Sequence, residues 1–224
     1  WGQKWVGIVT TFSLGKDLAN QIIGTARQYV QAYATMQEAE ANVMKYTGMT
    51  KEQVADLNEE LKKMDTRTSR EQLNALAGEA GRLGITSKEG LLEFVDAADK
   101  INVALGEDLG EDAVKNIGKL AKMFGEDDTL GLRGAMLATG SAVNAVGQSC
   151  SANEGFLGEF TARVAGAAHQ AGIAQTDILG FAAAMDENML REETSATAYQ
   201  KILIKMNTDT EKFANAAGLE LSSF

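Results

Sequence analysis

The sequence lacks residues on which several common kinds of fold and site depend. It contains no proline, one cysteine and one histidine among 224 residues. The absence of proline favours long helices over proline-rich linkers, because proline disrupts the interior of a helix. The single cysteine, Cys150, cannot form an internal disulfide, and the single histidine, His169, leaves too few nitrogen and sulfur ligands for a structural zinc site. We therefore expect no disulfide framework, no metal and no other cofactor.

Basic charge is also scarce. The chain carries 21 Lys and Arg against 31 Asp and Glu, which gives a net charge of −10 at pH 7. Binding to nucleic acid or to an anionic membrane surface requires a basic face, so we expect no nucleic-acid partner and no membrane contact from this segment. The most apolar run, Trp5 to Gly15, has eleven residues. A membrane-spanning helix needs about 20.

No motif predicts catalysis. Acidic residues cluster in GEDLGED, at 106–112, and in GEDD, at 125–128, but neither run has the alternating pattern of a calcium-binding loop. Both are better explained as acidic first turns of helices. The phosphate-binding pattern G-x-x-x-x-G-K-[ST] and the nucleophile pattern G-x-S-x-G are absent from the sequence. We predict that the protein is not an enzyme, with no catalytic, cofactor-binding or metal-binding residues.

The residues that are plentiful form helices. Ala, Leu, Met, Lys, Glu and Gln dominate, and most of the 23 glycines fall where a helix should end. The fold class predicted is all-α, a multi-helix bundle with a longer N-terminal amphipathic helix. Two domains are expected, an N-terminal unit at 1–65 and a helical core domain at 66–224, because the polar stretch DTRTSR at 65–70 is the best candidate for a boundary.

The N-terminal helix carries a heptad-like seam. Positions three and four residues apart line one face, and we take four of them as a candidate partner seam: Ile22, Tyr29, Tyr33 and Met36. The seam is compatible with self-association as a coiled coil and with an ordinary amphipathic helix packed on a domain core. Gly48 then ends the helix, and Thr50 with Gln53 forms a capping box that starts the next one.

One stretch of the sequence occurs twice. AGEAGRLGITSKEGLLEF, Ala77 to Phe94, aligns without a gap with AGAAHQAGIAQTDILGFA, Ala165 to Ala182. Two related helical hairpins are predicted, at about 69–105 and 153–187, although chance similarity between two generic hairpins remains the alternative. In each, a glycine ends the first helix and an isoleucine packs over the turn; Thr86 starts the next helix in a capping box with Glu89. The predicted turn residues are Gly84, Ile85, Thr86, Gly172 and Ile173.

The nine methionines mostly fall on apolar faces. We interpret them as residues that fill the core; the alternative is that they line an adaptable groove that binds a partner.

The order of several motifs resembles the core region of phage tail tape measure proteins. These are YTGMTKEQVADL from Tyr46, TRTSREQLNALAGEAGRLGI from Thr66, and GIAQTDILGFAAAMDEN followed by EETSATAYQKILIKM, from Gly172 to Met206. The resemblance covers roughly Gln31 to Leu219. It implies a mostly helical chain that sets tail length and organises tail tube assembly in a long-tailed phage or prophage. Its implied partners are the tail tube protein and tail assembly proteins. Its implied location is the lumen of the virion tail, and the host cytoplasm during assembly.

The many glycine turns favour a folded assembly domain within the tape measure chain over an extended ruler. Because the chain begins with Trp rather than Met, we expect it to be a piece of a longer protein. One alternative function is a helical protein-binding module of a secretion or toxin system, without catalysis. A cell-wall hydrolase is a further alternative, and it would require peptidoglycan turnover that is abolished by changing one acidic residue.

Overall fold

The computed structural model describes residues 27, 28, 30–106 and 112–218. This part of the chain contains helices and no strands, and the prediction of an all-α bundle is confirmed. The first helix, α1, covers 30–47. The others are α2 Lys51–Leu61, α3 Arg70–Arg82, α4 Lys88–Leu105, α5 Ala113–Met123, α6 Asp127–Ser149, α7 Glu154–Gln170, α8 Gln175–Glu187, α9 Glu192–Thr208 and α10 Thr210–Ala217.

Helices α3 and α4 form the first predicted hairpin, and α7 and α8 form the second. Between them α5 and α6 complete the bundle: α4 packs along α6, and α5 packs on both α6 and α7. Helix α9 then packs along α7. The two hairpins are therefore joined through α5 and α6 into one stack of helices.

A single cluster of buried apolar side chains runs through this stack. It includes Phe94 of α4 and Phe160 of α7, both fully buried. It also includes Val43 of α1 and Leu57 of α2, which precede the predicted domain boundary at residue 65. The core is thus continuous across that position, and α1 from about residue 36 onwards packs as an ordinary amphipathic helix. The two-domain division itself stays a prediction.

Glycine allows α4 and α6 to approach closely. A Cβ atom at Gly140 of α6 would lie 2.8 Å from Cγ1 of Ile101 in α4, which is closer than such atoms pack. Earlier in α6, Gly131 adopts φ 68° and ψ 162°, so the helix is kinked there. Glycines in this segment therefore have two different roles, one in packing and one in bending the helix.

None of the helices in the described ranges combines the length and the apolar character needed to cross a membrane.

Candidate structural and interaction sites

The turn of the first hairpin is closed by two backbone hydrogen bonds. The N–H of Gly84 donates to the carbonyl of Gly81 at 3.0 Å, and the N–H of Ile85 donates to the carbonyl of Ala80 at 3.1 Å. This is the Schellman arrangement, which satisfies carbonyl groups left free at the end of a helix. It requires the left-handed conformation at Gly84, where φ is +82°. Ile85 is buried in the core, as its predicted role over the turn requires.

The second hairpin has the same turn. Gly172, with φ +71°, donates to the carbonyl of His169 at 3.0 Å, and Ile173 donates to the carbonyl of Ala168 at 3.0 Å. Ile173 is partly buried against the core. The repeated Gly-Ile pair thus corresponds to the same hydrogen-bonded motif at both positions.

The predicted start of the helix after the first turn is wrong by one residue. The N-cap of α4 is Ser87, whose hydroxyl accepts from the N–H of Gly90 at 3.1 Å. Thr86 is exposed and lies outside the helix, and no capping box with Glu89 forms. A Cβ at residue 90 would lie 2.9 Å from both Cγ2 of Ile85 and Oγ of Ser87, so the observed turn and cap leave space only for glycine at this position.

The predicted turn between α1 and α2 has the expected residues in place. Gly48, with φ +74°, donates from its N–H to the carbonyl of Met44 at 3.0 Å and so ends α1. Thr50 then caps α2 in a reciprocal box with Gln53. The hydroxyl of Thr50 accepts from the N–H of Gln53 at 3.3 Å, and the side chain of Gln53 accepts from the N–H of Thr50 at 2.8 Å.

The candidate partner seam of α1 divides into an exposed and a packed part. Ile22 and Tyr29 lie outside the described residues. Tyr33 is 66% exposed, and its hydroxyl accepts from the side chain of Gln37 at 3.1 Å. Met36 is half-buried, with its sulfur 4.0 Å from Nδ2 of Asn74 in α3. Within the described residues, Tyr33 is therefore the seam residue that is free to contact a partner.

A buried polar junction, which the sequence does not predict, lies next to Met36 in the packed part of the seam. Nδ2 of Asn74 donates to Oδ1 of Asn58 at 2.6 Å, and Nδ2 of Asn58 donates to a carboxylate oxygen of Glu40 at 2.8 Å. Asn74 is fully buried. These bonds tie α3 to α2 and α2 to α1, because breaking one would leave a buried amide unpaired. Isolated Asn residues on helices carry no signal that could have revealed this junction from the sequence.

A second missed feature is an open apolar groove between the end of α8 and the first half of α9, which we call the α8–α9 groove. Its volume is about 490 Å³. Its apolar lining residues are Phe181, Met185, Met189, Leu190, Ala198, Tyr199 and Ile202. The sequence places most methionines on apolar faces, but it does not show that α9 leaves this face of α8 partly uncovered.

Two side chains of the kinds that catalysis often uses, His169 and Glu192, are engaged in structural contacts. His169 makes an edge-to-face contact with Phe124, with 5.8 Å between ring centroids. Burial raises the pKa of Glu192, while its ion pair with Arg163, 2.7 Å from carboxylate oxygen to Nε, opposes the rise. This pair joins α9 to α7. Among the described residues, no three His, Cys, Asp or Glu side chains are grouped so that they could hold a metal ion.

Comparison with known proteins identified one family. A family model described as phage-related minor tail protein matches residues 51–223. No curated protein and no solved structure matches the chain. The matched range begins at the first residue of α2 and contains both hairpins, the buried core between them and the α8–α9 groove.

Proposed function

Because this chain belongs to the family of phage-related minor tail proteins, we propose that it is a segment of a tape measure chain, the protein that sets tail length and organises assembly of the tail tube. Membership of the family supports a structural role as a component of a phage tail. The finer assignment draws on the order of the sequence motifs from Tyr46 to Met206. Its expected partners are the tail tube protein and tail assembly proteins. Its expected locations are the tail lumen and, before completion of the virion, the host cytoplasm.

The observation that carries the proposal is the compact stack of repeated hairpins within the matched range. In an extended ruler the helices would continue in one direction, whereas here the chain turns back at Gly84 and again at Gly172. Each reversal is fixed by two hydrogen bonds and by an isoleucine packed over the turn. We therefore assign this segment as a folded assembly domain of the tape measure chain rather than as part of the extended ruler.

Self-association through α1 belongs to the same proposal. Val30 and Tyr33 are 70% and 66% exposed on a helix whose following turns are packed on the core. If these side chains form a contact between copies, Tyr33→Glu should lower the apparent mass in sedimentation equilibrium without changing the helical content. An unchanged mass would assign the exposed positions to another partner or to none.

The decisive experiment is an in-frame deletion of about Ser69 to Met206 in the encoding gene, followed by electron microscopy of the tails. As one continuous helix, roughly 140 residues would span about 210 Å at ~1.5 Å per residue. We expect that tails fail to form. Tails shortened by about 210 Å would instead make the segment part of the ruler, and tails of unchanged length would refute the tape measure assignment.

A point variant provides the matched control, since it leaves the number of residues unchanged. Replacing both turn glycines, Gly84→Val and Gly172→Val, weakens the fold without shortening the chain, because a β-branched residue resists the left-handed conformation. An assembly domain predicts fewer tails of normal length at raised temperature. A ruler that acts through residue count alone predicts normal tail number and normal length at every temperature at which the phage grows.

A further inference from the structure

The α8–α9 groove brings several large apolar side chains together at the surface. The floor of the groove is aromatic: the rings of Phe181 and Tyr199 lie 4.5 Å apart between centroids. Around them stand flexible and exposed apolar side chains, Leu190 at the turn and Ile202 on α9. Met206, one helical turn beyond Ile202, continues the exposed apolar stripe along α9. The surface is therefore elongated along the axis of α9.

The turn between α8 and α9, at the edge of this groove, has no glycine at its left-handed position. Met189 donates to the carbonyl of Asp186 at 2.7 Å and Leu190 donates to that of Met185 at 3.1 Å, which is again the Schellman arrangement. The left-handed residue here is Met189, with φ 57°, where the two hairpin turns have glycine. An L-residue in this conformation is strained, because its Cβ atom approaches the following carbonyl oxygen. The side chain of Met189 is 93% exposed, so its contacts within the described fold do not offset the strain.

Cationic side chains without ion-pair partners lie along α9. Arg191 lines the groove at the N-terminus of α9, and Lys201 and Lys205 follow on the helix itself. Among the described residues, no carboxylate forms an ion pair with any of these three side chains. At the end of α8, Asp186 and Glu187 accept backbone N–H groups of the loop before α7. The groove is therefore apolar, with a cationic border along its α9 side.

From these three observations we propose that the α8–α9 groove binds an amphipathic helix of a partner protein, whose apolar stripe is flanked by carboxylates. The apolar lining accepts the stripe, and methionine adapts its shape to the partner. Arg191, Lys201 and Lys205 pair with the flanking carboxylates. The strained, exposed Met189 closes over one end of the bound helix.

The spacing of the cations sets the size of the partner helix. Arg191 and Lys205 are fourteen positions apart along α9, which corresponds to about 21 Å. A partner helix lying along α9 would need about four turns to meet both ends. A second copy of this chain is the competing occupant, and sedimentation of the natural chain distinguishes it from a partner helix. The assignment does not depend on whether the chain is a tape measure protein.

Two synthetic 18-residue helical peptides serve as probes. Both carry leucine at alternating three- and four-residue spacing; one has glutamate and the other lysine at the flanking positions. Binding to the full 224-residue chain is measured by fluorescence anisotropy. We expect the glutamate peptide to bind about tenfold more tightly at low salt, and we expect this preference to shrink in about 0.5 M salt. Equal affinity of the two peptides, or no detectable binding of the glutamate peptide, would overturn the proposal.

Met189→Gly separates binding from folding. Glycine accepts φ 57° without strain, so the variant should unfold at the same or a higher temperature than the natural chain. It should nevertheless bind the glutamate peptide about threefold to tenfold more weakly, because the apolar lid is lost. Val103→Ser, at an exposed position of α4, is the matched control and should leave the affinity unchanged. Equal affinity of Met189→Gly and the natural chain would refute the role of this residue.

A charge variant tests the cationic border and the identity of the occupant. Lys201→Glu combined with Lys205→Glu should reverse the preference, so that the lysine peptide binds more tightly. Sedimentation of the natural chain addresses the competing occupant. A dimer that dissociates on Met189→Gly would assign the groove to a second copy and would overturn the partner-helix proposal.

Discussion

The role of the turn glycines can be tested by two substitutions that should change the free energy of unfolding in opposite directions. Gly172 ends α7 in the left-handed conformation, with φ +71°, while Gly166 lies within the same helix at an exposed position. A Cβ added at either residue meets no other atom within 4 Å. Steric crowding is therefore absent at both, and Ala at the two positions should report backbone conformation alone.

The expected magnitudes follow from that difference. Ala at residue 172 must adopt the left-handed conformation, which costs roughly 1–2 kcal/mol. Alanine also lowers the conformational entropy of the unfolded chain, which stabilises the folded protein by about 0.4–1 kcal/mol. The net loss of stability is therefore about 1 kcal/mol. Ala at residue 166 keeps the helical conformation and should stabilise the protein by about 0.8–1 kcal/mol. For a chain of this length, the two variants should differ in Tm by about 4–8 °C.

Urea denaturation followed by far-UV circular dichroism measures both free energies. Gly172→Ala should lower the denaturation midpoint and Gly166→Ala should raise it, with unchanged slopes. Gly172→Asn should fall between the natural chain and Gly172→Ala, because Asn tolerates the left-handed conformation better than Ala. If Gly172→Ala were as stable as the natural chain, or if both Ala variants shifted in the same direction, the assignment of the Gly-Ile turns as helix terminators would fail.

Three further predictions test the packing and charge of the first half of the stack. Ser87→Ala should lose about 1 kcal/mol in chemical denaturation while Thr86→Ala changes little, because only Ser87 caps α4; the reverse order would contradict the observed cap. Gly140→Ala should lose about 1–3 kcal/mol by collision with Ile101, and Ile101→Ala, which removes the colliding Cγ1 and Cδ1 atoms, should cost less in the Gly140→Ala background than in the natural chain. Burial opposes ionisation of Asp96, but hydrogen bonds from Lys100 and Arg133 outweigh it and lower the pKa below its ordinary 3.8. The stabilisation is therefore present above about pH 4 and lost as pH falls through the lowered pKa. Asp96→Asn should lower Tm at pH 7 and converge with the natural chain at strongly acidic pH; a constant Tm difference would refute the ionic explanation.

The hairpins could be predicted from the sequence because the signals that define them are local. A run of small residues, a glycine and an isoleucine lie within about ten positions of one another, and the Schellman turn involves only those positions. The turn between α1 and α2 was predictable for the same reason, since Thr50 and Gln53 are three residues apart. Local geometry alone decides where these helices end.

Side-chain packing was not accessible in this way, even between residues that are close in the sequence. At the start of α4, Ile85 and the capping Ser87 both lie too close to residue 90 for a Cβ atom there. In the second hairpin the residue equivalent to Gly90 is Ile178, which is fully buried, and α8 begins one position earlier in the repeat, after Ala174. The two copies thus share a turn but differ by one position in where the following helix begins.

The same comparison explains why the α8–α9 groove lies on the second hairpin. The residue of the first copy that is equivalent to Phe181 is Glu93, which is exposed to solvent on α4. In the second copy Phe181 instead stacks against Tyr199 of α9 and forms the floor of the groove. Met185, by contrast, corresponds to Ala97, which is fully buried against the core. The second copy therefore has a larger apolar surface on this face, because Phe181 stands where the first copy has an exposed glutamate and Met185 stands where it has a small buried alanine. Replacing Phe181 with Glu, the residue of the first copy, should preserve the hairpin less well than Met189→Gly does, since Phe181 also contacts Phe160 of the core at 6.1 Å between ring centroids. A Phe181→Glu variant as stable as the natural chain would show that the groove floor does not contribute to the stability of the core.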